Sequence, residues 1–483
     1  MMLAARLSVI AISVLVLDSA VSAAEPPKPV LPVPSRSQLE WQRGELSMFL
    51  HFGVNTFTDR EWGEGKEDPR IFNPTQLDAR QWARAAKAGG FKIVILTAKH
   101  HDGFCLWPSK YTDHCVKSSP WKDGKGDVVR ELADACKAEG LKLGLYLSPW
   151  DRHEKTYGDS PRYNEYYRNQ LTELLTNYGT VAEVWFDGAC GEGPNGKRQE
   201  YDWPAVHALV HKLQPQAVMF SDAGPEIRWI GNESGTAGDP CWATVDPAKW
   251  PAPGKSADGV RDPIQFLQHG DRGGTVWRPG ESDVSIRPGW FWHKREDARV
   301  RSVQNLVDLY FKSVGRNSLL LLNVPPNNTG LLSDADLTRL AEFKAKLDEI
   351  FKTDLAARKP ATASNIRGDD QLFAPGLALD GNPDTYWATD DSVTDGWTEI
   401  DLGQPMKFNI ACMQEAIALG QRVESYSIQY LDGAEWKTAS QGTTIGHKKL
   451  DRFNPVTAQK IRLVINKSLA CPTIATFSVY FAQ

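Results

Sequence analysis

The chain has 483 residues, 41% of them hydrophobic and 24% charged, with a formal net charge of −5. Hydrophobic cores rarely grow past about 250–300 residues, so this length implies more than one domain. A mild negative charge with no long basic run excludes an electrostatic case for nucleic acid or an anionic membrane surface.

Residues 1–23 read as a signal peptide. Arg6 is the only charge before Asp18, residues 7–17 form a short apolar run, and Val21-Ser22-Ala23 supplies small residues for cleavage. The run is shorter than the roughly 20 residues of a bilayer span. The expectation is an exported protein, periplasmic or extracellular, with no transmembrane segment. Residues 24–39 are a Pro-rich leader. Seven cysteines follow in an odd count with no zinc spacing. Cys412 and Cys471 are candidates for pairing in an oxidising compartment, and buried free thiols are the alternative.

From residue 46 short β-rich runs alternate with amphipathic stretches. Strands are expected at 46–53, 91–98, 142–148, 181–188, 216–222, 227–233, 284–292 and 318–324, and helices at 77–88, 128–139, 161–178, 203–213, 298–314 and 332–351. Near-continuous apolar runs such as FKIVILTA and SLLLLNV suit a parallel sheet buried on both faces. Eight strands with interleaved helices over about 300 residues predict an α/β fold, a (β/α)8 TIM-like barrel spanning 40–354. An open doubly wound sheet is the rival, and no GxGxxG follows a strand to support it. The stretch 235–282, rich in Gly, Pro and polar residues, reads as a long loop on the barrel's active face. Residues 355–483 change character to Thr/Ser/Val-rich alternation with turns at Asp380-Gly381 and Asp432-Gly433, which predicts an antiparallel β-sandwich.

The informative polar residues sit at strand ends: His51-Phe52-Gly53, Lys99-His100-His101-Asp102, Tyr146-Leu147-Ser148-Pro149-Trp150 and Trp185-Phe186-Asp187-Gly188. C-terminal strand ends are where barrel enzymes build their sites. Asp187 is the leading candidate for a nucleophile in double displacement, with Gly188 leaving room for a ligand near the backbone. His100-His101 carries no metal-ligand spacing. Neutral imidazoles hydrogen-bonding sugar hydroxyls explain it more economically. The 17 Trp point the same way, because flat indoles pack on sugar C–H faces, although Trp also fills cores.

Taken in order, HFG, EWG (Glu61-Trp62-Gly63), KHHDGF, YLSPW, WFDG and RPGWFWH resemble glycoside hydrolase family 29, the retaining α-L-fucosidases, over residues 40–350. The resemblance implies Asp187 as nucleophile and His51, Glu61, Trp62, His100, His101, Tyr146 and Trp185 as fucose contacts. Trp290 would pack near the sugar's methyl group, with Trp292 as the fallback. The run Arg228-Trp229-Ile230-Gly231-Asn232-Glu233-Ser234-Gly235 resembles the α-1,3/4-specific branch, which selects Glu233 as acid/base over Glu226 and Asp222. In a retaining enzyme the two carboxyls stand about 5–5.5 Å apart. The resemblance implies no cofactor for catalysis.

Residues 378–389, then Trp397 and Ile400-Asp401-Leu402-Gly403, resemble discoidin-type modules, including carbohydrate-binding module family 32. That implies a structural Ca2+ near Asp380, Asp384 and Thr385, held by oxygen ligands, although Ile474-Ala475-Thr476-Phe477 lacks the Glu that usually completes such a site. The module either binds sugar or buttresses the barrel. The expected activity is exo-hydrolysis of terminal α-1,3/α-1,4-linked L-fucose from fucosylated oligosaccharides or glycoconjugates. The rivals are a broad-specificity fucosidase, taking α-1,2 and aryl fucosides as well, and a catalytically silent fucose lectin.

Overall fold

The computed structural model describes residues 24–222, 224–249 and 263–482. The expected signal peptide lies outside the described residues, as does 250–262 of the long loop.

Strands β1 (Leu46–Leu50), β2 (Ile93–Lys99), β3 (Lys142–Leu147), β4 (Val181–Trp185), β5 (Val218–Ser221) and β6 (Ile227–Trp229) run parallel. A short antiparallel ribbon, β7 (Thr244–Val245) and β8 (Val276–Trp277), precedes β9 (Gly280–Ser285) and β10 (Ser318–Asn323). Closure in the order β1-β10-β9-β6-β5-β4-β3-β2 makes the eight-stranded barrel that the strand pattern predicts. The strands are near-continuous apolar runs because both faces are covered. One face packs inside the barrel and the other packs on the helices.

Helix α1 (Arg36–Gly44), opened by a Ser35 capping box, sends Trp41 into the interior cluster. After α2 (Val54–Thr58), helices α3 (Ala79–Ala88), α4 (Val128–Glu139), α5 (Ser160–Asn177) and α6 (Trp203–Leu213) alternate with the first five strands. Asp78, Asp127 and Asp202 cap α3, α4 and α6 at backbone N–H groups. α7 (Pro263–His269) lies in the long loop. α8 (Val303–Lys312) joins β9 to β10, and α9 (Asp334–Ile350) follows.

β5 and β6 follow one another with no helix between them among the described residues, as the strands expected at 216–222 and 227–233 already imply. One expectation is corrected. The strand expected at 284–292 lies instead at Gly280–Ser285, every residue of which is buried. That segment, GESDVS, reads as loop because it is polar. Period-two alternation turns Glu281 and Asp283 into the barrel, where indole N–H groups meet them.

The second domain is one antiparallel sheet system, in the order β12-β17-β13-β16-β14-β15 with β11 beside β13. Its strands are β11 (Ala361–Ala363), β12 (Trp387–Ala388), β13 (Gly396–Glu415), β14 (Val423–Asp432), β15 (Glu435–Gly442), β16 (Lys449–Ser468) and β17 (Thr473–Tyr480). Gly433, at φ 61°, closes the β14–β15 hairpin where the Asp-Gly turn is expected. Cys412 and Cys471 are free thiols, as are the other five cysteines. Of the three residues expected near calcium, Asp380 accepts from Thr385 Oγ1 at 2.8 Å and from Asn382 N at 2.7 Å, whereas Asp384 pairs with Arg43 of α1 at 2.5 Å. Asp384 thus carries an exposed ion pair to the barrel domain, while Asp380 organises the turn.

The two domains share a buried polar seam. Asn317 donates to Cys241 O at 3.0 Å and to Gln421 Oε1 at 3.2 Å. Gln421 also accepts from Ala243 N at 2.8 Å, and Lys449 pairs with Asp239 at 2.6 Å. The second domain thus grips the start of the long loop. It buttresses the barrel, whatever else it binds.

Beneath the site, Lys99 Nζ at the end of β2 meets Asp151 Oδ2 at 2.8 Å and Gln170 Oε1 at 2.9 Å, with both charged side chains fully buried. Lys99→Met leaves Asp151 buried without its cation. The expected loss is about 3–5 kcal/mol of stability, read by denaturant unfolding; a change under about 1 kcal/mol contradicts this account of the pair.

Candidate active site

Two adjoining cavities, of about 110 and 360 Å³, open where the strands end at the C-terminal face. Every residue singled out for this site lies here. His51, Glu61, Trp62, His100, His101, Trp185, Asp187, Glu233 and Trp290 line the smaller cavity, and Tyr146 is buried against Asp187. Trp290 lines the smaller cavity, whereas Trp292 is buried and lines neither. Trp62, Trp185, Asp187 and Glu233 line both cavities, so both candidate catalytic carboxyls stand at the junction.

Asp187 lies two residues past β4. Tyr146 Oη donates to its Oδ2 at 3.1 Å, and the Ala189 N–H donates to Oδ1 at 2.7 Å. These bonds hold its direction. Gly188 lines the larger cavity, and the Asp222 carboxylate packs where its Cβ would stand, so the position has no space for a side chain. Glu233 follows β6 at the exposed rim and accepts Trp290 Nε1–H at 3.1 Å. Burial of its carboxyl lifts Glu233 above the usual carboxylate range. The Trp290 bond opposes that shift, and the charges of Asp187 and Glu61 add to it. Glu226 points elsewhere, accepting Met219 N at 2.8 Å beside His211, and Asp222 lines only the larger cavity.

Partners decide the histidine tautomers. Asn323 spends its amide N–H groups on Ser285 Oγ and Trp290 O, so its Oδ1 accepts from His51 Nδ1 at 2.9 Å. Ser148 Oγ donates to Trp150 O at 2.6 Å and therefore accepts from His101 Nδ1 at 2.7 Å. His51 and His101 are left with Nε2 as an acceptor, and that of His101 lies 3.7 Å from Asp187 Oδ2. His100 Nδ1 faces the Asn55 amide at 3.5 Å, which leaves its Nε2–H as a donor. Burial keeps all three rings neutral by lowering their pKa values, that of His51 to about 4. A pocket with two neutral acceptors, a donor and a carboxylate suits a ring of vicinal hydroxyls.

Aromatic walls complete the cavity. Trp185 stacks on Phe220 at 4.2 Å, while Trp62 stands edge-on to His101 and Trp150 and is 54% exposed at the mouth. Glu61 accepts from Trp290 N at 2.8 Å and is 2.6 Å from His293 Nε2, so it braces the turn that carries Trp290.

Sequence reasoning missed Phe49 and Asp283. Asp283 lines both cavities and accepts Trp229 Nε1–H at 2.8 Å; burial, then the charge of Glu233, holds it well above the usual carboxylate range. The signal was present, since Glu281-x-Asp283 keeps the strand period, but its polarity hid the strand. Among the described residues no cluster of three His, Cys, Asp or Glu offers a metal site, and no helix is long and apolar enough to cross a membrane.

Comparison with known proteins agrees with the geometry. The alpha-L-fucosidase family matches residues 30–348 and the F5/8 type C domain matches 360–476. A putative alpha-L-fucosidase 1 from Oryza sativa subsp. japonica is 51% identical over 458 residues, 94% of this chain and 86% of that one. The crystal structure of a putative alpha-L-fucosidase from Bacteroides thetaiotaomicron superposes with a TM-score of 0.87 at 43% identity, covering 94% of this chain and 99% of that one. A Ruminococcus gnavus family 29 fucosidase in complex with fucose gives 0.87 at 37% identity, covering 96% and 98%. The chain belongs to the alpha-L-fucosidase family, glycoside hydrolase family 29, and is a fucoside-cleaving hydrolase with a C-terminal F5/8 type C domain.

Proposed function

We propose that the protein is an exo-acting, retaining α-L-fucosidase that removes terminal α-1,3- or α-1,4-linked L-fucose. The observation that carries the mechanism is the placement of Asp187 and Glu233 together at the junction of the two cavities. Fucose occupies the smaller cavity, with its hydroxyls on His51, His100 and His101 and its methyl near Trp290. The Ruminococcus gnavus relative is solved in complex with fucose, which supports fucose as the sugar bound.

Asp187 attacks the anomeric carbon while Glu233 gives its proton to the glycosidic oxygen. The C–O bond breaks and the aglycone leaves as an alcohol. Water then attacks the fucosyl–Asp187 ester, losing a proton to Glu233, and frees Asp187 with net retention. The raised Glu233 suits an acid that must hold its proton near neutral pH. None of these steps calls on a metal or organic cofactor. The N-terminal apolar run supports export, to the periplasm or beyond.

Asp187→Asn is expected to lower kcat by about 10³-fold or more while leaving the melting temperature near that of the parent. Near-normal turnover, with deamidation excluded, sinks the nucleophile assignment. Glu233→Ala is expected to cost about 10²–10⁴-fold on substrates with poor leaving groups, with partial rescue by azide. The same pattern in Asp222→Ala in its place reassigns the acid. NMR of the first-formed product should show α-fucose, and β-fucose makes the enzyme inverting.

Linkage preference rests on the larger cavity, where Trp150, Trp229 and Asp222 stand beyond the cleaved bond. Contacts to a branched aglycone there lower the barrier at the reacting centre. A Lewis-type trisaccharide should therefore show a higher kcat/KM than 2′-fucosyllactose or an aryl fucoside. A faster reaction on either of the last two favours the broad-specificity reading.

A further inference from the structure

A line of side chains runs up the inside of the barrel from its floor to the sugar pocket. Trp41 of α1 donates its indole N–H to Glu183 Oε2 at 2.9 Å, and Trp185 donates its own to Glu281 Oε1 at 2.8 Å. Glu183 on β4 and Glu281 on β9 are fully buried. The remaining oxygens, Glu183 Oε1 and Glu281 Oε2, are buried with no donor on either. The two carboxyls are within hydrogen-bonding reach of each other. Two ionised carboxylates in that contact repel at full strength in a dry interior, whereas one proton between them satisfies both orphaned oxygens at once.

The geometry points to Glu183 and Glu281 as a carboxyl pair that shares a single proton and acts, through the Trp185 indole, as the positioning element for the wall of the sugar pocket. Glu281 supplies the acceptor that fixes the rotation of Trp185, and Phe220 fixes its plane by stacking. Glu183, tied to Trp41, stops Glu281 from turning away. Burial raises both carboxyls, and Asp283, next on the same face of β9, adds its charge against ionisation of Glu281. The groups facing the pair are thus two indole N–H donors and one further carboxyl. The inference rests on Trp185 as a wall of the fucose cavity.

Glu281→Gln tests it with little change in shape. The amide oxygen takes the Trp185 N–H, and the amide N–H replaces the shared proton toward Glu183. The fucose inhibition constant should stay within about threefold of the parent. Glu281→Leu removes the acceptor, and the same constant should rise about tenfold, the scale of one lost buried hydrogen bond. Two substrate-free readouts separate the pair from the fucosidase reading. The infrared difference between parent and Glu281→Gln at neutral pH should show the loss of one carboxylic-acid carbonyl band. A carboxyl whose folded pKa is raised holds a proton that the unfolded chain releases above about pH 4.5, so it costs stability as pH rises from there toward its folded value. The parent's melting temperature should therefore fall more steeply than that of Glu281→Gln between about pH 5 and 8. Asp102, Asp283 and Asp336, also raised, act in both proteins and cancel in the difference. Identical infrared and pH behaviour in parent and Glu281→Gln overturns the shared proton. Unchanged fucose affinity in a folded Glu281→Leu, or equal loss in the Gln and Leu variants, overturns the positioning role.

Discussion

Closing eight parallel strands into a tube forces alternate side chains into a space that water does not reach, and every polar group placed there must find a partner. β1 pairs with β10 from Leu46↔Leu320 to Phe49↔Asn323, and that seam seals the tube. Phe49, Ile95, Leu319 and Leu321 fill much of the inside with hydrocarbon. Against that background Glu183, Glu281 and Asp283 survive only because indole N–H groups, and each other, meet their oxygens. The active site is the upper end of the same polar column, where it opens to solvent.

The site is built in two layers, and the outer layer explains the precision of the inner one. Asn323 fixes the His51 ring and also the turn after β9, through Ser285 Oγ and Trp290 O. Ser148 fixes His101, and Glu61 holds the backbone at Trp290. His51, His101 and the backbone at Trp290 are thus each oriented by a neighbour that makes further bonds of its own. A pocket held in this way loses little on binding, which lets binding energy act at the reacting carbon.

The second domain belongs to this arrangement. Its buried seam with Asn317 and the 239–243 segment holds the loop that leaves β6 six to ten residues past Glu233. Arg43–Asp384 ties it again to α1, the helix whose Trp41 closes the barrel floor.

The amino-acid order by itself determined the strand count and the change of domain type, because these are local signals; the ten expected site residues came from the family resemblance, and the fold brings them together at one end of the barrel. Apolar runs of strand length, Gly and Asp at helix ends, and polar residues at strand termini can each be read without knowing their neighbours in space. Tertiary structure alone decided the rest. Gly280–Ser285 is a strand only because Trp185 and Trp229, distant in sequence, bring donors to its carboxyls. Glu233 rather than Glu226 faces the cavity because the chain turns between β5 and β6 without a helix. Which nitrogen of His51 or His101 carries a proton depends on Asn323 and on Ser148, each bonded to further partners. These are questions of hydrogen-bond bookkeeping in a closed, dry interior, and that interior exists only once β10 has come back to lie beside β1.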